Sequence, residues 1–101
     1  MFIKSKISKG VSEYKETALA VLIDVREADE YKSGHIPDAI NIPLSRLSDM
    51  AEGLLPDKKA VLFVYCLSGM RSKKAVKLLQ NLGYKEAKNI GGINAYKGSL
   101  E

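Results

Sequence analysis

The stretch VLFVYCLSGMRSKKAV, residues 61–76, contains the only cysteine of the 101-residue chain. An apolar run ends at Cys66, a short turn with serine and glycine follows, and a lysine-rich helical pattern then begins. An apolar run without polar alternation is typical of a buried parallel strand. The order strand, turn, helix therefore places Cys66 at the carboxyl end of a strand, where α/β sheets bind their ligands.

Short strands and helices alternate on both sides of this stretch. The strand-like segments are AVLIDV (20–25), AINIP (39–43), AVLFVY (60–65) and EAKNI (86–90). The helical segments are GVSEYKETALA (10–20), READEYKSG (26–34), LSRLSDM (44–50), SKKAVKLLQNLG (72–83) and, after a glycine turn, part of GGINAYKG (91–98). Such alternation predicts one α/β domain over residues 1–101, with a mostly parallel sheet. In its clearest helix, residues 72–83, Ser72 is a plausible N-cap and Gly83 the C-cap.

The composition excludes several classes of protein. The longest apolar stretch has eight residues (60–67), which is far short of a membrane span, and the N-terminus lacks the apolar core of a secretory signal. One cysteine allows no internal disulfide, and one cysteine with one histidine cannot form a tetrahedral zinc site. We therefore expect a soluble, cytoplasmic domain without a metal or other cofactor.

The charge of the chain is unevenly distributed. Residues 1–56 carry 7 Lys/Arg and 9 Asp/Glu, whereas residues 57–101 carry 9 and 3, so the second part is strongly basic. Nucleic-acid binding would need aromatic side chains interleaved with the lysines, and these are few. We expect no nucleic acid and no membrane as partner. A small anionic substrate and a plain solvated surface both remain open.

The Cys66 loop has the physical features of an anion cradle. The first turn of a helix presents unpaired N–H groups and a positive dipole end, and Gly69 can adopt the positive φ that lets successive amides converge. Arg71 adds a fixed charge, and such surroundings favour a thiolate. Lys73 and Lys74 oppose the helix dipole, which an anion in the cradle would offset, although solvated lysines are equally expected there. The alternatives are an inert core cysteine, and a protease-like pairing of Cys66 with the distant His35.

Three separated motifs resemble the single-domain rhodanese, or sulfurtransferase, family. They are LIDVREADEYKSGHIPDAINIPL (22–44), YCLSGMRS (65–72) and GGINAY (91–96), and the resemblance covers about residues 20–98. It implies a parallel five-stranded sheet with helices on both faces, and a cysteine that carries a persulfide. Carried over by position, Cys66 is the nucleophile. The residues that form the persulfide-binding loop are then Leu67, Ser68, Gly69, Met70, Arg71 and Ser72.

The first motif is expected to support the site structurally. The residues that match the first motif of the family are Asp24, Arg26, Glu30, Gly34 and His35. We expect an ion pair between Arg26 and Glu30, and a hydrogen-bonded support under the loop from Asp24. The sequence departs from the family at Asp38, where glycine is usual, and at Tyr96, where tryptophan is common. We expect Asp38 to affect the conformation of a turn, and we expect the packing around Tyr96 to accommodate the change from tryptophan.

Loop length separates sulfur transfer from the chemistry of related proteins. Cysteine phosphatases and arsenate reductases of this fold place five residues between cysteine and arginine, whereas four residues separate Cys66 from Arg71. The resemblance thus implies a thiosulfate sulfurtransferase-like enzyme with a small anionic sulfur donor, and a sulfur-donor or acceptor protein is a further candidate partner. A sulfur carrier fed by a protein persulfide needs the same loop, and a non-catalytic protein-binding module remains the alternative from another class.

Overall fold

The computed structural model describes residues 4–101. Its helices are α1 (Lys6–Glu16), α2 (Ala28–Lys32), α3 (Leu47–Leu54) and α4 (Met70–Asn81). Its strands are β1 (Val21–Asp24), β2 (Ile40–Asn41), β3 (Leu62–Cys66) and β4 (Ala87–Gly92), and single 3₁₀ turns occupy Leu44–Arg46 and Ile93–Ala95. The alternation that was read from the sequence is therefore present along the chain.

The four strands form one parallel sheet in the order β2-β1-β3-β4. The prediction of a parallel α/β sheet is confirmed, but the expected number of five strands is wrong for residues 4–101. The extended apolar runs of the sequence supply only four strands, and the fifth was implied by resemblance alone. The longest pairings are those of β3, whose five residues are all buried.

Side-chain alternation along the strands divides the core into two layers. Leu62, Val64 and Cys66 pack with residues of α3 and α4, whereas Phe63 and Tyr65 pack with residues of α1. Helices thus cover both faces of the sheet, as the resemblance implied. Cys66 belongs to the face that α4 covers, so the sulfur lies directly below the start of this helix.

Helix α4 starts earlier than the sequence pattern indicated. Its N-cap is Gly69, with φ = 101°, and not Ser72, which lies buried in the first turn. Serine is a good N-cap because its hydroxyl accepts a backbone N–H, but here the sulfur of Cys66 accepts these N–H groups instead. At the other end Gly83 follows the cap residue Leu82 with φ = 104°, as expected for a helix stop.

The two departures from the family pattern are absorbed locally. Asp38 has φ = 77°, in the left-handed region that glycine occupies most easily, so this position does act on a turn. Its carboxylate accepts a 3.4 Å hydrogen bond from the hydroxyl of Tyr14. Tyr96 packs against the core layer on the α1 face.

Candidate active site

The sulfur of Cys66 lies at the N-terminus of α4 and receives hydrogen bonds from it. Cys66 ends β3 and its side chain is fully buried. The N–H of Gly69 lies 3.0 Å from Sγ and the N–H of Ser72 lies 3.4 Å from it. The hydroxyl oxygen of Ser72 is a further 3.4 Å neighbour. The predicted loop therefore does bring backbone donors onto the cysteine sulfur.

These donors favour the ionised sulfur. Burial raises the pKa of the Cys66 thiol, but hydrogen bonds from the Ser72 hydroxyl and from the N–H groups of Ser72, Gly69 and Ser68 lower it further than burial raises it. The net pKa lies below the ordinary thiol value. An anion at this sulfur is stabilised mainly by dipoles, because its hydrogen-bond partners are all uncharged.

The loop rests on the glycine pair of the third motif. A Cβ at Gly92 would collide with the carbonyl oxygen of Leu67 and the Cα of Ser68, so only glycine fits there. The N–H of Asn94 donates to the same carbonyl of Leu67 at 3.1 Å. Gly91, with φ = 96°, lies against Gly69. The GGIN segment thus supports the Cys66 loop from below.

Arg71 forms an ion pair that differs from the one expected. Its guanidinium donates to both carboxylate oxygens of Glu30, at 2.7 and 3.0 Å. The hydrogen bond from Arg71 is the main cause that lowers the pKa of Glu30 to about 2. The predicted Arg26–Glu30 pair is therefore wrong. Its failure has a simple reason: Glu30 faces the Cys66 loop, 41 residues away in sequence, and not its neighbour Arg26.

Asp24 and Arg26 form a separate, buried pair. The guanidinium of Arg26 lies 2.8 Å from the fully buried carboxylate of Asp24, and it also donates to the carbonyl of Gly34 at 2.7 Å. Arg26 thus links the segment around Gly34 to the carboxylate of Asp24. The predicted support of the Cys66 loop by Asp24 is not among these contacts. The carboxylate of Asp24 accepts hydrogen bonds from the backbone N–H and the guanidinium of Arg26.

His35 has its own partners away from the sulfur. Its Nδ1 lies 3.0 Å from the carbonyl oxygen of Tyr31, and its ring stacks on the Tyr31 ring at a centroid distance of 3.7 Å. The polar neighbours of Cys66 come from Gly69 and Ser72. The structure gives no support to a protease-like pairing of Cys66 with His35.

The rim of the loop is apolar and basic. The side chains of Leu67 and Met70 are 46% and 69% exposed, although both lie within four residues of the buried sulfur. Lys73 and Lys74 are exposed on the first turns of α4. The loop after Cys66 and the start of α4 therefore expose two apolar and two basic side chains.

The sequence reasoning missed Asn89. This residue of β4 accepts the Ser72 hydroxyl hydrogen bond at 2.7 Å and donates to the carbonyl of Gly69 at 3.1 Å. A polar amide in a buried strand, two residues before the glycine pair, was the available signal. Asn89 lies just outside the third motif, in the segment 86–90 that predicts only a strand.

The fold agrees with what comparison with known proteins finds. The model of the rhodanese-like domain family matches residues 8–99. The chain is 38% identical over 71 residues to the thiosulfate sulfurtransferase PspE of Escherichia coli, covering 70% of this chain and 68% of PspE. The chain belongs to the rhodanese-like domain family.

Solved structures show the same fold. A rhodanese from E. coli, solved with anions, superposes with a TM-score of 0.75 at 33% identity, covering 81% of this chain and 96% of that one. The human single-domain sulfurtransferase TSTD1 superposes with a TM-score of 0.71 at 30% identity, covering 88% of each chain. Several other curated relatives are longer, and the chain spans only 64% down to 20% of their length. The relatives support sulfur transfer in general.

No helix within residues 4–101 combines the length and the apolar character that crossing a membrane requires.

Proposed function

We propose that this protein is a sulfurtransferase in which Cys66 carries the transferred sulfur as a persulfide. The observation that supports this most directly is the sulfur of Cys66, which accepts N–H groups of Gly69 and Ser72 at the start of α4. Such donors stabilise a thiolate before the reaction and an anionic persulfide after it. Because a thiol nucleophile acts only while it is reduced, we also propose a cytoplasmic location.

The proposed reaction with thiosulfate has two displacement steps. The Cys66 thiolate attacks the outer sulfur of thiosulfate, a bond forms between the two sulfur atoms, and the S–S bond of the donor breaks. Sulfite leaves with the electron pair of that bond. A nucleophilic acceptor, such as cyanide or a thiolate, then attacks the outer sulfur of the persulfide. The Cys66 thiolate leaves and is ready for another cycle, so no metal or redox partner is needed.

Charged residues at the rim are suited to hold the donor. Thiosulfate is an anion, and the related E. coli rhodanese was solved with anions. In this chain Glu30 holds the guanidinium of Arg71 in a bidentate pair, which fixes the direction of its remaining N–H groups. We propose that these N–H groups contact the sulfonate end of the donor, with Lys73 and Lys74 attracting it. Arg71→Ala should then raise the KM for thiosulfate more than it slows transfer from a preformed persulfide.

A protein donor or acceptor is supported by a different observation. Leu67 and Met70 expose apolar surface within four residues of the buried sulfur, and Lys73 and Lys74 are exposed on the first turns of α4. A small inorganic donor needs no such apolar contact. We therefore propose, as the second candidate, that the chain is a carrier that exchanges its persulfide with an acidic protein partner. Leu67→Ser combined with Met70→Ser should slow exchange with a protein persulfide and leave the reaction with thiosulfate nearly unchanged.

Intact mass measurement tests the proposed function. The protein is incubated with thiosulfate, desalted and weighed, and Cys66→Ser serves as the control. We expect a gain of one sulfur atom in the wild type alone, and its removal by cyanide with formation of thiocyanate. A folded protein with a reactive thiol that gains no sulfur from thiosulfate would contradict the enzyme proposal. A gain from a protein persulfide would then support the carrier, and failure of both donors would leave a non-catalytic binding module.

A further inference from the structure

Asn89 lies at an irregularity of the sheet beside the Cys66 loop. In the pairing of β3 with β4, Val64 faces Asn89 but the next residue, Tyr65, faces Gly91. Ile90 is therefore an extra residue, which defines a β-bulge. A bulge changes the direction in which neighbouring side chains point, and it is found in sheets next to functional sites. Gly91, with φ = 96°, completes the turn of the strand at this place.

The side-chain amide of Asn89 makes three hydrogen bonds at the same time. Its Nδ2 donates to the carbonyl oxygen of Gly69 at 3.1 Å. Its Oδ1 accepts the hydroxyl of Ser72 at 2.7 Å and the N–H of Gly91 at 3.0 Å. The carbonyl of Gly69 can only accept and the N–H of Gly91 can only donate, so the orientation of the amide is fixed by chemistry.

Both loop residues that Asn89 holds also donate to the sulfur. Gly69 is held by its carbonyl group and points its own N–H at Sγ. Ser72 is held by its hydroxyl and also points its N–H at Sγ. Since Gly69 lacks a side chain and has φ = 101°, its peptide groups depend on such contacts to keep their direction.

We propose that Asn89 is a positioning residue, which fixes the Gly69 and Ser72 donors on the Cys66 sulfur and so maintains the reactive form of the cysteine. The proposal rests on the proposed function in one respect, namely that Cys66 is the reacting group. Asn89 does not touch the sulfur in this arrangement and acts through the loop. Neither composition nor the family pattern assigned it a role.

Asn89 also explains how the Ser72 hydroxyl can form hydrogen bonds both when Cys66 is a thiol and when its sulfur is an anion. This hydroxyl has one hydrogen, and its 2.7 Å contact with Asn89 is much shorter than its 3.4 Å contact with Sγ. With a thiol, the S–H donates to Ser72 and the Ser72 hydrogen goes to Asn89. With an anionic sulfur, the Ser72 hydroxyl can turn its hydrogen to the sulfur, while Asn89 still holds the carbonyl of Gly69 through Nδ2 and the N–H of Gly91 through Oδ1. Every group has a partner in both states.

The pH dependence of iodoacetamide alkylation tests this role. Cys66 is the only cysteine, so the alkylation rate of the whole protein reports its thiolate alone. We expect Asn89→Ala to move the midpoint of the pH–rate profile upward by about half a unit or more, which lowers the thiolate fraction near neutral pH by about threefold. An unchanged or lower midpoint in a folded variant would overturn the proposal.

The chain offers a matched control in Asn41. This half-buried asparagine also donates through Nδ2 to backbone carbonyls, those of Asp24 and Arg26, at 3.0 and 2.9 Å. Asn41→Ala removes comparable hydrogen bonds from β2, at the opposite edge of the sheet. We expect it to lower stability without moving the alkylation midpoint. An equal shift in both variants would show a general loosening of the fold and would also overturn the proposal.

A second variant covers the case in which Asn89→Ala does not fold. Asn89→Asp keeps the acceptor for Ser72 and Gly91 but places an oxygen against the carbonyl of Gly69. The midpoint of its alkylation pH–rate profile should remain above that of the wild type in about 1 M salt, which screens the added charge. A midpoint that returns to the wild-type value in salt would overturn the anchoring role. Alkylation needs no sulfur donor, so a wild type that forms no persulfide would contradict the proposed function without touching this result.

Discussion

Two acidic groups are buried at the carboxyl edge of the sheet, the carboxylate of Asp24 at the end of β1 and the thiol of Cys66 at the end of β3. Asp24 is neutralised by the guanidinium of Arg26 at 2.8 Å. Cys66 is surrounded by N–H and O–H dipoles of Gly69 and Ser72. A fixed counter-charge suits a permanent ion, whereas dipoles suit a charge that comes and goes during a reaction. The first arrangement maintains structure and the second is suited to chemistry.

The largest effect is expected where the fixed pair is broken. Asp24→Ala leaves the buried guanidinium of Arg26 without its carboxylate, and removing one partner of a buried ion pair costs about 3–5 kcal/mol. Urea unfolding would measure the loss. Glu13→Ala, which removes an exposed partner of Lys88 at 3.7 Å, should change stability by less than about 0.5 kcal/mol. Similar losses in the two variants would refute the distinction between buried and exposed pairs.

The next effect concerns the support of the Cys66 loop. Gly92→Ala places a methyl group in the space of the Leu67 carbonyl, and overpacking of this kind costs about 1–3 kcal/mol. We expect slower alkylation of Cys66 as well, because the loop has to shift. As a control, Gly53→Ala in α3 meets no atom within 4 Å, and should stabilise the protein by about 0.5–1 kcal/mol. Unchanged stability in Gly92→Ala would contradict the close contact.

The pair between Glu30 and Arg71 should make stability depend on pH. The pKa of Glu30 falls from the ordinary 4.5 to about 2 in the folded protein. Its stabilisation is therefore complete above 4.5 and is lost as the pH falls through 2. Because both side chains are about one third exposed, Glu30→Gln should cost only about 1 kcal/mol at pH 7.

Thermal unfolding over this pH range measures the difference between wild type and Glu30→Gln. The difference should shrink steadily from pH 4.5 towards pH 2. Glu52→Gln, at the exposed pair with Lys58, is the matched control and should show little effect at pH 7. A Glu30→Gln difference that stays constant down to pH 2 would show that the carboxylate charge does not matter.

The smallest effect on stability is expected from substitutions of Cys66. They show whether the start of α4 needs a hydrogen-bond acceptor at this position or a charged one. Cys66→Ala leaves the N–H groups of Gly69 and Ser72 without an acceptor, which should cost about 1 kcal/mol, as loss of a helix N-cap does. Cys66→Ser restores an acceptor and should lie closer to the wild type. Urea midpoints of the two variants give the comparison. An alanine variant as stable as the serine variant would mean that the sulfur does not cap α4.

Local patterns made much of the fold predictable. The run that becomes β3 is apolar throughout, and helical spacing predicts the face of α4 that packs on the core, with Ala75, Val76, Leu78, Leu79 and Leu82. Both signals concern neighbours in sequence. The position of Cys66 at the junction of these two elements followed from them, and so did the convergence of loop amides on its sulfur.

The polar pairs were less predictable because they join distant segments. Arg26 and Glu30 are four residues apart, which made their pairing attractive, but the fold directs Glu30 to Arg71 and Arg26 back to Asp24. The N-cap was misplaced for a related reason. Ser72 is the usual residue type for a cap, and only the structure shows that a sulfur three residues before Gly69 takes that role.

Because α4 begins on the sulfur of Cys66, the backbone N–H groups at its start report the chemical state of that sulfur. The N–H groups of Gly69 and Ser72 exchange with solvent only when they leave Sγ, so a change in the charge or length of the group at Cys66 alters their exchange rates. On the proposed function, hydrogen exchange at the start of α4 would therefore follow loading and unloading of sulfur in the native protein. No chromophore, label or coupled enzyme would be required.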